Sequence, residues 1–91
     1  MSDKFLMELC DGWALGYDRL QWIVLRAKIR RDEHYWQGVS FIGSNKRTLR
    51  RVLRETGIQA DPVFAEYLDV IPEKFVEWLQ VHEVEQDEEA A

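Results

Sequence analysis

Cysteine is almost absent from this chain. Cys10 stands alone among 91 residues, so no intramolecular disulfide can staple the fold. That composition points to a reducing, cytoplasmic setting. Histidine is nearly as scarce. Neither His34 nor His82 has a second His or a Cys at ligand spacing, which argues against a structural metal site. No apolar run reaches the roughly 18 residues of a membrane span. The opening MSDKFLMELC carries Asp3 and Glu8 where a signal peptide needs an uninterrupted apolar stretch. Gly12 and Gly16 precede no lysine motif, so there is no phosphate-cradling glycine loop. Cys10 lacks an activating neighbour in MELCDGW, and Glu73 with Glu77, one helical turn apart, reads as a solvent face. These absences leave no catalytic set, no cofactor motif and no small-molecule site. The expectation is a protein that is not an enzyme.

Charge and aromatic rings are what the chain does have. Hydrophobic residues make up 46% and charged residues 32%, the balance of an ordinary single globular domain. Four Trp, three Tyr and four Phe supply the bulk that a small core needs. The formal net charge is -5, yet residues 26–54 hold nine Lys or Arg against only Asp32 and Glu33. Residues 55–91 hold eleven acids against Lys74. The division predicts a basic surface and an acidic C-terminal half. A globular domain over 1–84 and a disordered acidic tail over 85–91 follow from the composition.

Periodicity places the elements. SDKFLMELCDGW fits a short helix through Phe5, Leu6 and Leu9, stopped by Gly12. LQWIVLRAKIR is rich in β-branched and aromatic residues and predicts a strand. Its alternation puts Ile23, Leu25, Ala27 and Ile29 on one face, and Trp22, Val24, Arg26 and Lys28 on the other. RDEH is then a polar loop, YWQGVSFIG a second strand facing the core with Val39 and Phe41, and WALGY a possible third. In NKRTLRRVLRET, Leu49, Val52 and Leu53 share one helical arc, with Lys46, Arg47, Arg50, Arg51 and Arg54 opposite them. Ser44 or Asn45 suits its N-cap and Gly57 its C-terminal stop. Asp61 and Pro62 open a second helix, with Phe64, Tyr67, Leu68 and Ile71 on one side. PEKFVEWLQVHEVE predicts a third, with Phe75, Val76, Trp78 and Leu79 inward. Strands followed by helices imply an α+β domain. An antiparallel β-hairpin or three-stranded sheet packs Ile23, Leu25, Val39 and Phe41 against three to four short helices.

The run from Gly16 to Gly57 resembles small uncharacterised proteins of bacterial prophages. The likeness rests on an Asp-x-x-Gln-Trp strand start, a Trp-led second strand and a Leu/Arg-rich helix. The matching positions are Asp18, Gln21, Trp22, Trp36, Phe41 and Leu49. It implies a phage-type accessory protein and assigns no activity to any residue.

The functional expectation is a small binding protein. Lys46, Arg47, Arg50, Arg51 and Arg54, extended by Arg26 and Lys28 and by Trp22 as a stacking ring, would contact nucleic acid or an acidic protein surface. A helix-turn-helix is disfavoured, because the helix after Gly57 offers Glu66 and Asp69 to the DNA and no cation. Two other readings stay open. The acidic 55–91 half could dock on a basic protein as a phage-type modulator, or exposed Trp could drive self-association as a structural subunit. The basic-face expectation requires that the arginines at 47, 50, 51 and 54 are not already held by the protein's own carboxylates.

Overall fold

The computed structural model describes the backbone of residues 4–90 and the side-chain surroundings of residues 4–83; the tail expected to be disordered, 85–91, lies outside the latter. Four strands come first: β1 (Lys4–Cys10), β2 (Trp13–Tyr17), β3 (Trp22–Arg30) and β4 (Glu33–Ile42). Three helices follow: α1 (Lys46–Thr56), α2 (Pro62–Val70) and α3 (Phe75–Ala90). The sheet is an antiparallel meander in the order β1-β2-β3-β4. The chain is thus α+β, with one more strand than the sequence suggested. The extra strand is β1, read above as a helix. Its helical spacing of Phe5, Leu6 and Leu9 also fits an edge strand interrupted by two register shifts, and pairing with β2 decides between the two.

Asp18 makes the β2–β3 turn. Its carboxylate accepts from the Leu20 N–H at 2.7 Å, the Gln21 N–H at 3.0 Å and the Gln21 side-chain amide at 3.2 Å. Slight burial pushes its pKa up, but these three donors outweigh it and hold the carboxyl below its ordinary range. The β3–β4 hairpin turns at Arg31 and Asp32, both with positive φ, as a two-residue turn of matching twist requires.

The helices cover only one face of the sheet, and only part of it. Leu9, Leu15, Tyr17, Trp22, Val24 and Ile42 meet Leu49, Leu53, Phe64, Leu68, Phe75 and Trp78 in one buried cluster. Every helix residue in that set matches expectation; Val76, which was also expected inward, is exposed. The strand faces are reversed. Trp22 and Val24 face the helices, whereas Ile23 and Leu25 are buried on the opposite side with Ala14. Val39 and Phe41, expected in the core, are exposed. The reason is reach. Past Val24 the helix-side positions are Arg26 and Lys28, beyond the helical layer, so the longer apolar alternation belongs to the open face.

Trp78 sits at the centre of the ring cluster. Its ring lies 5.1 Å from Tyr17, 5.6 Å from Trp22 and 5.6 Å from Phe75, and His82 stacks on it at 4.8 Å. His82 Nε2 lies 3.0 Å from the Tyr17 hydroxyl, tying α3 to β2. Burial, and secondarily the Glu83 carboxylate, push the Tyr17 phenol above its ordinary range. A raised folded-state value means that the neutral phenol favours folding. That contribution is complete below the unfolded value near about 10 and is lost as pH climbs through the higher folded value. Thermal midpoints measured from pH 8 upward should therefore fall more steeply in the native chain than in Tyr17→Phe. Parallel curves would show that Tyr17 does not titrate with unfolding.

Candidate anion-binding face of helix α1

Helix α1 is anchored at its N-terminus through the three N–H groups of its first turn, those of Lys46, Arg47 and Thr48, which have no carbonyl partner within the helix; the ordinary helical bonds begin at Leu49. Lys46 N–H donates to the Glu73 carbonyl at 2.8 Å and Arg47 N–H to Glu73 Oε2 at 3.2 Å. Thr48 N–H donates to Asn45 Oδ1 at 2.9 Å and Leu49 N–H to the Asn45 carbonyl at 3.2 Å. A short bridge between Asn45 and Lys74 pins the start of α1 to the start of α3. At the other end, Gly57 adopts φ 85° and its N–H closes on the Arg54 carbonyl. Leu49 and Leu53 are buried, so the rotation of the helix, and with it the direction of each cation, is fixed.

The five cations divide. Lys46 is buried at 9% exposure, and its ammonium donates to the Leu68 carbonyl at 2.5 Å and the Ile71 carbonyl at 2.7 Å. It caps the C-terminal end of α2, whose carbonyls carry partial negative charge. It is therefore withdrawn from the candidate site. Sequence placed it on the polar arc, but a long side chain can lie along the helix and bury its head where carbonyls await it. Arg50 pairs with Asp69 at 2.7 Å, with both side chains well exposed. An exposed pair of this kind is worth about 0–1 kcal/mol and exchanges readily with another anion. Arg47, Arg51 and Arg54 hold no ion pair among the described residues. The Glu73 carboxylate, which also lines this surface, accepts from the Arg47 backbone N–H and from no guanidinium among the described residues.

Two concavities flank the ridge of Arg50 and Arg54. One is polar, lined by Arg47, Arg50, Arg51 and Arg54 with Asn45 and Glu73. The other is an apolar groove between α1 and α2, floored by Leu53, Ile58, Ala60, Phe64 and Leu68. Arg50, Arg54 and Asp69 also line it. The sequence reading missed this groove. Its signal was present in Ile58 and Ala60, apolar residues in the short connection after Gly57.

The remaining expected site residues do not join α1 as a unit. Trp22 is wholly buried, packed edge-on to Phe75 at 5.1 Å, and is no stacking platform. Its indole N–H has no hydrogen-bond partner among the described residues, a polar group sacrificed to core packing. Arg26 is exposed and lies over the Trp13 ring at 5.3 Å, a cation–π contact within the protein. Lys28 lies further along β3, with no ion pair to α1. Asp18 and Gln21 form a turn and Trp22 a core anchor. Those three positions build the fold and mark no site. Cys10 is half-buried against the core and His34 is exposed on β4. No group of three or more potential metal ligands occurs among the described residues, and no described helix is long and apolar enough to cross a membrane. Comparison with family models, curated proteins and solved structures finds no match for this chain.

Proposed function

We propose that this is a small non-enzymatic binding protein that docks an acidic protein segment on the α1–α2 face. The observation that carries the reading is the pairing of two unlike surfaces: a polar concavity whose Arg47, Arg51 and Arg54 hold no ion pair among the described residues, and next to it, across Arg50 and Arg54, an apolar groove floored by Leu53, Ile58 and Phe64. Phosphate backbones need cations alone. A groove with cations along its edge suits an amphipathic segment, with apolar anchors below and carboxylates above. The overall charge of -5 also weighs against a general nucleic-acid binder, because long-range repulsion opposes the approach of a polyanion. The likeness to prophage proteins is compatible with a role in modifying a partner protein.

The test uses two probes at low salt: a labelled helical peptide with Glu on one face and Leu on the other, and a generic 20-base-pair duplex. The peptide should bind and the duplex should bind more weakly. Exchanging Arg47, Arg51 and Arg54 together for Ala should weaken the peptide by about tenfold or more, since each charge contributes a few tenths to 1 kcal/mol. Duplex binding stronger than peptide binding would transfer the face to nucleic acid. Failure of both probes to bind at low salt removes the proposal.

A further inference from the structure

The sheet face turned away from the helices carries a second, chemically different surface. Ala14, Ile23 and Leu25 are buried there although no helix covers them. Rings do the covering. Phe5 on β1 and Trp36 on β4 lie 5.8 Å apart, although two strands separate theirs in the sheet. Four strands set side by side would keep those backbones about 14 Å apart. Twist and coiling bring opposite corners of the sheet together over the small residues between them. A Cβ on Gly16 would lie 2.7 Å from the Lys4 carbonyl, and one on Gly38 would lie 3.2 Å from the Phe41 ring, so glycine permits this closeness. A bulge completes the face. Val24 pairs with Ser40 but Leu25 with Gly38, so β4 changes parity at Val39 and presents both Phe41 and Trp36 on the same side.

The outer surface of this layer is apolar and open. Phe5 is 52%, Ile29 65%, Trp36 38% and Phe41 56% exposed. Together they offer on the order of 400 Å² of apolar area. The ionisable groups paired into this face are Glu8, opposite Ala14, and His34, opposite Ile29. A basic or acidic partner therefore finds little to read. A second copy of this chain finds a matching neutral surface, while most of its acids, in 55–91, belong to the helical half.

We infer that the protein self-associates through this open sheet face, two copies packing sheet against sheet with their helices outward. Two such faces bury about 800 Å² of apolar area, and the polar rim brings the total to the lower edge of the 1,200–2,000 Å² of specific interfaces. The dimer is accordingly weak and reversible. Aligned packing of two twisted sheets across a spacing of about 10 Å is a standard way for such faces to be covered. The inference stands independently of the α1 face, which lies on the helical side.

Sedimentation equilibrium from about 5 to 300 µM protein should show a monomer–dimer equilibrium with Kd on the order of 10–100 µM. Phe41→Glu should weaken it by about tenfold or more, since it buries like charges across the twofold. Ile29→Glu serves as a second variant on the same face, and Val70→Glu on α2 should leave the equilibrium unchanged. Raising salt should preserve or tighten the dimer, whereas it should weaken peptide binding to the arginines. Thermal melts confirm that each variant is folded. A strict monomer at 300 µM overturns the inference. So does a dimer indifferent to both Phe41→Glu and Ile29→Glu, or a monomer whose Trp fluorescence is quenched by an oligothymidine probe.

Discussion

Lys46→Met should cost about 2–3 kcal/mol of folding stability, a far larger loss than any other cation of α1 would cause. The substitution keeps the length and apolar stem of the side chain and removes only its charged donor. Two carbonyls, those of Leu68 and Ile71, then lose the ammonium that satisfies them. Leu68 is buried, so water cannot fully replace the lost donor there. Leaving a buried acceptor unmade costs about 1–3 kcal/mol, and charge-assisted bonds lie at the upper end. For a chain of 91 residues, that corresponds to a midpoint lower by roughly 10–20 °C. Arg47→Met, one residue along, should stay within about 0.5 kcal/mol, because its guanidinium holds no partner among the described residues. Thermal and urea denaturation of the pair measure the contrast. A Lys46→Met melt that coincides with the native chain would mean that the ammonium cap is dispensable.

Trp78→Ala should cost about 3–5 kcal/mol, enough to threaten folding in a domain whose whole stability is about 5–15 kcal/mol. The ring joins α3 to β2 and β3 through Tyr17 and Trp22, and its indole N–H donates to the Tyr67 hydroxyl at 2.8 Å. Truncation opens a cavity among rings that are themselves held in place by tilted and edge contacts. Trp78→Phe, which retains part of the packing and loses the N–H donor, should fall between. Val76→Ala, two residues earlier on an exposed part of the same helix, should change stability by no more than about 0.5 kcal/mol. Urea midpoints at constant slope report the ranking. Equal losses for Trp78→Ala and Val76→Ala would contradict the core described above.

The two predictions mark the boundary between what local chemistry announces and what packing adds. The three helices were legible because their signals are local. Asn45 and Gly57 bracket α1, Asp61 and Pro62 open α2, and apolar spacing identifies Leu49, Leu53, Phe64, Leu68, Phe75 and Trp78 as buried. The period of β3 was legible for the same reason. Its orientation was not, because alternation separates two faces without saying which one a distant helix will cover. Helix α1 likewise shows five cations on one arc, but nothing near Lys46 in the chain indicates that the end of α2 will arrive over its ammonium.

What the sequence determined by itself was the three helices, the strands at the centre of the sheet, the amphipathic division of α1 and the concentration of positive charge in 26–54; β1, whose spacing fits a helix as well, was decided by pairing with β2. Tertiary structure alone decided that Lys46 is a cap, that Asp69 engages Arg50, and that Arg50 and Arg54 edge an apolar groove while Arg47 and Arg51 line the polar concavity on their other side. It also decided that Phe41 and Trp36 share a face, since one inserted residue at Val39 reverses the parity that alternation would assign. The physical reason is range. Capping, propensity and periodicity act over a few residues, whereas a side chain's partner depends on which segments, tens of residues apart, the folded core brings together.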